Sequence, residues 1–170
     1  DKIKSITNLG TEIISIIEEV KVREINYVES VNDLIGIASS IFANNVNHSK
    51  QIKKSLIERE MKSSTYLKGF NMMLLHCKDE NITSCKFGVV RLKEKLIENN
   101  KEIDFAIVSL IPEKNTQTQI NIMSYINGEI IEKESFRESI KKSSEEELTN
   151  IIEKVLGDLY RKELKSIMEE

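Results

Sequence analysis

Residues 103–111 (IDFAIVSLI) are a near-continuous apolar run of strand length, interrupted only by Asp104 and Ser109, and Pro112 ends it. A strand with one wet face alternates apolar and polar positions; a run such as this one has to be covered on both faces. Residues 71–77 (NMMLLHC) repeat the pattern and deliver His76, one of only two histidines, to the end of a strand. Residues 85–92 (CKFGVVRL) read as a third strand centred on Val89 and Val90, and Asn99-Asn100-Lys101 makes a turn. Any fold for this chain must therefore sandwich a small apolar sheet.

The cover comes from segments whose apolar residues recur three or four apart. From residue 2 to about residue 25, Ile3, Ile6, Leu9, Ile13, Ile16, Ile17 and Val20 form one helical stripe, which Gly10 weakens or divides. Ser30 is placed to cap a helix through Leu34, Ile35, Ala38 and Ile41 that ends at Asn44-Asn45. Ser49 is placed to cap another, with Ile52, Leu56 and Ile57 inward and Arg59 near its last turn. Residues 63–69 read as an irregular connection. After Pro112, a helix from residues 115–118 runs through Ile120, Met123 and Ile126 and is expected to close at Gly128. Phe136 and Ile140 mark a short helix, and Ser144 with Glu147 forms a capping box ahead of the last long one. The order is helices, strands, helices, which predicts an α/β fold: a small mixed sheet with helices on both faces, preceded by an extra N-terminal helix. Residues 1–27 are read as a linker helix and residues 28–170 as one domain.

Totals narrow the function. The chain has 170 residues, enough for one domain and an appended helix. The apolar runs are too short for a membrane span, so no membrane insertion is expected. A net charge of −3, with Lys and Glu interspersed, offers no basic stripe for a phosphate backbone, so direct nucleic acid contact is not expected. Two cysteines without a disulfide framework fit a reducing cytoplasm. The chain opens at Asp1 rather than Met, which suggests a piece of a longer polypeptide.

His76 leads the candidate chemistry. From position alone it is either a strand-end histidine satisfied by a neighbouring carbonyl or a reactive group. As a phosphoryl acceptor it needs one bare ring nitrogen, the other N–H held by an acceptor, and donors for the phosphoryl oxygens. Arg59 can supply a two-pronged donor, and the helix start near Thr116 can supply N–H groups. A zinc site built on His76, Cys77 and Cys85 lacks a fourth ligand, and neighbours on a strand point to opposite faces, so neither a metal nor a Cys77 nucleophile is expected. No cofactor is expected. His48 reads as solvated at a helix start, without a role. Gln119 has two readings: it completes a T-x-x-Q capping box with Thr116, or its amide faces the phosphoryl group.

Taken in order, Leu56-Ile57-Glu58-Arg59-Glu60, Thr65-Tyr66-Leu67 with a following Gly, the strand ending in His76, CKFGVVRL, and IDFAIVSLIPE before a helix entered through a polar turn resemble a known family. They are similar to the IIA domains of the mannitol/fructose class of the bacterial phosphotransferase system (PTS), over roughly residues 27–164. The resemblance implies that the phosphorylated histidine is His76 and the active-site arginine Arg59. It also implies a phosphohistidine transfer intermediate rather than a turnover enzyme, with the phosphocarrier protein HPr or a IIB domain as partner. The chain departs from the pattern in Leu75, where the family has Pro, and in Gln119, where it often has a second histidine; the connection from Thr65 to His76 is one residue longer. These departures point to a regulatory copy, such as the C-terminal domain of a sugar-responsive antiterminator or activator, joined to the remaining domains of a longer regulator. The alternatives are a sugar-transport component that passes phosphate to IIB, and a silent interaction module that keeps the fold without the chemistry.

Overall fold

The computed structural model describes residues 1–169. The chain divides into two compact units, Lys21–Glu113 and a second one formed by Asp1–Val20 with the residues from Lys114 on.

The first unit is built on a five-stranded mixed sheet. In chain order it contains β1 (Lys21–Ile25), α2 (Val31–Ser40), α3 (Val46–Lys62), β2 (Tyr66–Leu67), β3 (Met72–Asp79), β4 (Lys86–Glu98) and β5 (Lys101–Pro112). The strand order is β1-β4-β5-β3-β2. β1 is parallel to β4 and β3 to β5, while β4–β5 and β2–β3 are antiparallel. His76 lies opposite Ser109 in the β3–β5 ladder. The hairpin between β4 and β5 turns on Asn99 and Asn100, with φ of 50° and 65°, a left-handed pair that asparagine tolerates and that matches the strand twist. α2 and α3 bring Leu34, Ile35, Ala38, Ile52 and Leu56 against Met73, Leu75, Cys77, Val90, Ala106 and Val108 in one buried cluster. Gly88 lets the end of α2 come close, because a Cβ there would sit 2.8 Å from Ile41 Cδ1 and 3.1 Å from the Lys21 carbonyl oxygen. The second unit holds α1 (Lys2–Ile17), α4 (Gln117–Glu132), α5 (Glu134–Lys142) and α6 (Glu145–Met168), with α1 packed on α6 and α4.

The expected mixed sheet with helices, including one at the N-terminus, is observed. Several boundaries differ: β3 runs on to Asp79, β4 runs on to Glu98, and residues 66–67, expected to be irregular, form β2. The first helix stops at Ile17 rather than near residue 25, and residues 21–25 form β1, because KVREI has enough β-branched character for pairing with β4 to win over the helical spacing. α2 ends at Ser40, short of the Asn44-Asn45 pair. Asn45, not Ser49, caps α3: its side chain accepts the His48 N–H, and Ser49 falls inside the helix. α4 runs through Gly128 to Glu132, since a single glycine costs a helix only about 1 kcal/mol.

Candidate functional site

α3 and β3 bring Arg59 and His76 together. Arg59 stands in the last turn of α3, where cations complement the helix dipole. His76 stands on β3 past the two residues that β2 covers, so its edge of the sheet is open. Both side chains are half-buried. The Arg59 Nε–H donates to His76 Nε2 at 3.1 Å, and the Arg59 Nη1–H donates to the Ser63 carbonyl at 2.9 Å. His76 Nδ1 lies 2.9 Å from the Leu74 carbonyl oxygen. A carbonyl can only accept, so the proton sits on Nδ1 and the lone pair on Nε2. This is a nucleophilic nitrogen with a guanidinium poised over it. Beside it Ser109, 1% exposed, has a hydroxyl with no hydrogen-bond partner among the described residues.

Thr116 and Gln119 lie in the second unit and form the reciprocal capping box of α4. The Thr116 hydroxyl accepts the Gln119 N–H at 3.2 Å, and Gln119 Oε1 accepts the Thr116 N–H at 3.0 Å. The Gln119 Nε2 donor is also engaged, at 3.2 Å from both carboxylate oxygens of Glu12 on α1. Gln119 is 3% exposed, so its amide is a buried joint between α1 and α4.

His48 overturns its reading as a solvated residue. It is 5% exposed, its Nδ1 accepts the Asn44 N–H at 3.0 Å, and its Nε2–H donates to Asp79 Oδ2 at 2.5 Å. Asp79 Oδ1 accepts the Asn81 N–H at 3.1 Å. The sequence signal was the Asn45 cap: a helix that starts at Val46 places the third residue, His48, against the sheet.

Cys77 faces the α3 side with Leu75, away from His76. Burial, with a smaller contribution from the Asp79 carboxylate, pushes its thiol up from the ordinary 9.0 to about 12. It is a thiol at neutral pH and no nucleophile. The unfolded chain ionises this group near 9 and the folded one near 12, so stability is full below pH 9 and falls as pH rises between those values. Between pH 8 and pH 10 the wild type should lose about 1.4 kcal/mol more than Cys77→Ala in urea unfolding. Equal losses in the two proteins would show that Cys77 is not buried as a neutral thiol.

The description phosphoenolpyruvate-dependent sugar phosphotransferase system, EIIA 2, belongs to a family model that matches residues 15–155. The chain belongs to this family. This EIIA 2 domain is similar in fold to the nitrogen regulatory protein IIA-Ntr from Neisseria meningitidis, with 22% identity and a TM-score of 0.66 over 81% of this chain and 98% of that one. It is also similar to IIA mannitol from Escherichia coli, with 14% identity and a TM-score of 0.55 over 79% of this chain and 96% of that one. No curated protein matches the chain in sequence. Glu12, which holds Gln119, lies outside the matched segment. No helix among the described residues is long and apolar enough to cross a membrane.

Proposed function

We propose that this EIIA 2 domain is a phosphoacceptor: His76 Nε2 takes a phosphoryl group from phosphorylated HPr or from a IIB domain. The observation that carries the reading is the pair of bonds on one imidazole, Nδ1–H to the Leu74 carbonyl and Nε2 to Arg59. In transfer from a donor phosphohistidine, such as that of HPr, the nitrogen–phosphorus bond breaks and its electron pair returns to the donor imidazole, while the Nε2 lone pair forms the new bond. His76 keeps its Nδ1 proton, and the positive charge that develops on its ring is stabilised by the Leu74 carbonyl. Arg59 gives up its bond to Nε2 as phosphorus arrives and turns its donors to the phosphoryl oxygens. Nη2, bonded to no described residue, supplies the second prong.

The regulatory role rests on Gln119. An amide carries no proton at neutral pH, and this one is spent on Glu12 and on the Thr116 cap. A domain with Gln119 in place of the family's frequent second histidine suits a slow switch better than rapid relay to a transporter. Phosphorylation adds about two negative charges at one spot, enough to alter docking against the other domains of a sugar-responsive regulator in the cytoplasm, to which the N-terminal helix would connect it.

The test is the intact mass and acid-lability of the protein after incubation with phosphoenolpyruvate, enzyme I and HPr. One acid-labile phosphoryl group on the wild type and none on His76→Ala is the expected result. No phosphate on the wild type, from HPr shown to be active or from a phosphorylated IIB domain, would leave an interaction module that keeps the fold without the chemistry. Onward transfer to a IIB domain at catalytic rates would favour transport over regulation.

A further inference from the structure

Glu60 follows Arg59 on α3, and its carboxylate accepts the backbone N–H of Thr65 at 3.0 and 3.2 Å as well as the Thr65 hydroxyl. Thr65 is 7% exposed, so this clamp is an internal one. Its consequence appears one strand away. β2 and β3 pair Tyr66 with Met73 and Leu67 with Met72, so the next pair in register is Thr65 with Leu74. The Leu74 N–H does donate to the Thr65 carbonyl, at 3.1 Å. In an antiparallel ladder such a pair exchanges two bonds, and the mate would run from the Thr65 N–H to the Leu74 carbonyl. That mate is missing, because Glu60 has taken the Thr65 N–H. The Leu74 carbonyl is left to accept the His76 Nδ1–H.

We infer that Glu60 is a positioning residue for the imidazole: by diverting the Thr65 N–H it vacates the Leu74 carbonyl, which then fixes His76 as the Nδ1–H tautomer with a bare Nε2. Two successive residues of α3 thus act on the two nitrogens of one ring. Arg59 meets Nε2 directly, and Glu60 governs Nδ1 through Thr65 and Leu74. Without the Glu60 carboxylate the Thr65 N–H closes the ladder on the Leu74 carbonyl, competes with Nδ1–H, and lets the ring place its proton on Nε2, where it blocks attack. The catalytic significance rests on the phosphoacceptor reading above; the structural claim does not.

The experiment is a long-range proton–nitrogen correlation spectrum of the two imidazoles in the nitrogen-15-labelled full chain. The second histidine is a built-in control, since the Asn44 N–H on its Nδ1 makes His48 the Nε2–H tautomer. The wild type should show opposite patterns for His48 and His76. In Glu60→Ala the His48 pattern should persist while His76 acquires an Nε2–H population, and the rate of phosphoryl acceptance should drop at least about tenfold. Glu60→Gln keeps an oxygen for the Thr65 N–H and should restore both. Should Glu60→Ala lose the His48 pattern, and with it the fold, Glu60→Leu fills the same space without an acceptor and is read in its place. An unchanged His76 pattern with His48 intact would overturn the inference. A wild type that shows the expected tautomers and accepts no phosphate would instead overturn the proposed function and leave this inference standing.

Discussion

Arg59→Ala should slow phosphoryl transfer to His76 by about a hundredfold or more, with little change in stability. The rate effect follows from the charge balance of the step. The transferring group carries its negative charge on three oxygens, and removing a preorganised donor from such a site typically costs about 2.7–4 kcal/mol of transition-state stabilisation. Arg59 is the guanidinium already within 3.1 Å of the attacking nitrogen. Stability is spared because the side chain is half-buried and its other bond goes to the Ser63 carbonyl at the helix end. Arg59→Lys separates charge from shape: it keeps the cation but lacks the Nε–H and the planar fork, and should recover only part of the rate. Single-turnover transfer from phosphorylated HPr, followed by intact mass, measures all three proteins. A rate within about threefold of wild type in Arg59→Ala would remove the arginine from the mechanism.

The places of Arg59 and His76 in the fold were legible in the sequence because both sit where local rules are strong. His76 ends an apolar run long enough to be a strand, and Arg59 occupies the last turn of a helix that its own periodicity marks. What the sequence hid depends on contacts between segments. β1 looks helical because Ile13, Ile16, Ile17 and Val20 keep a spacing of three or four up to its first residue, and only the open edge of β4 decides otherwise. The role of Glu60 was invisible for the same reason: a glutamate in a helix reads as a solvated charge until the register of β2 on β3 reveals the bond it has displaced. Gln119 is the intermediate case, since its capping box is local and readable, whereas Glu12, 107 residues away, is not. His48 reads as solvated only if Ser49 is the cap. Moving the helix start from Ser49 to Asn45 is enough to turn the imidazole inward.

That imidazole carries the largest expected effect on stability. His48 and Asp79 are 5% and 4% exposed, and Nε2–H donates to Oδ2 at 2.5 Å, fastening the first turn of α3 to the end of β3. The other end of the same helix reaches His76 through Arg59. His48→Ala leaves the Asp79 carboxylate with only the Asn81 N–H as a donor among the described residues and opens space where the ring stood. Breaking a buried pair by removing one partner costs about 3–5 kcal/mol, a large fraction of what holds a domain of this size together. Removing both partners costs less than the sum, because no charge is then stranded. A cycle of His48→Ala, Asp79→Ala and the double variant in urea unfolding should therefore give a coupling of at least about 1.5 kcal/mol. Because the pair sets where α3 begins, and Arg59 and Glu60 ride on where it ends, the same variant should also blur the distinct Nδ1–H signature of His76. Additive losses, or a His48→Ala protein as stable as wild type, would show that the helix is held by its apolar face of Ile52 and Leu56 alone.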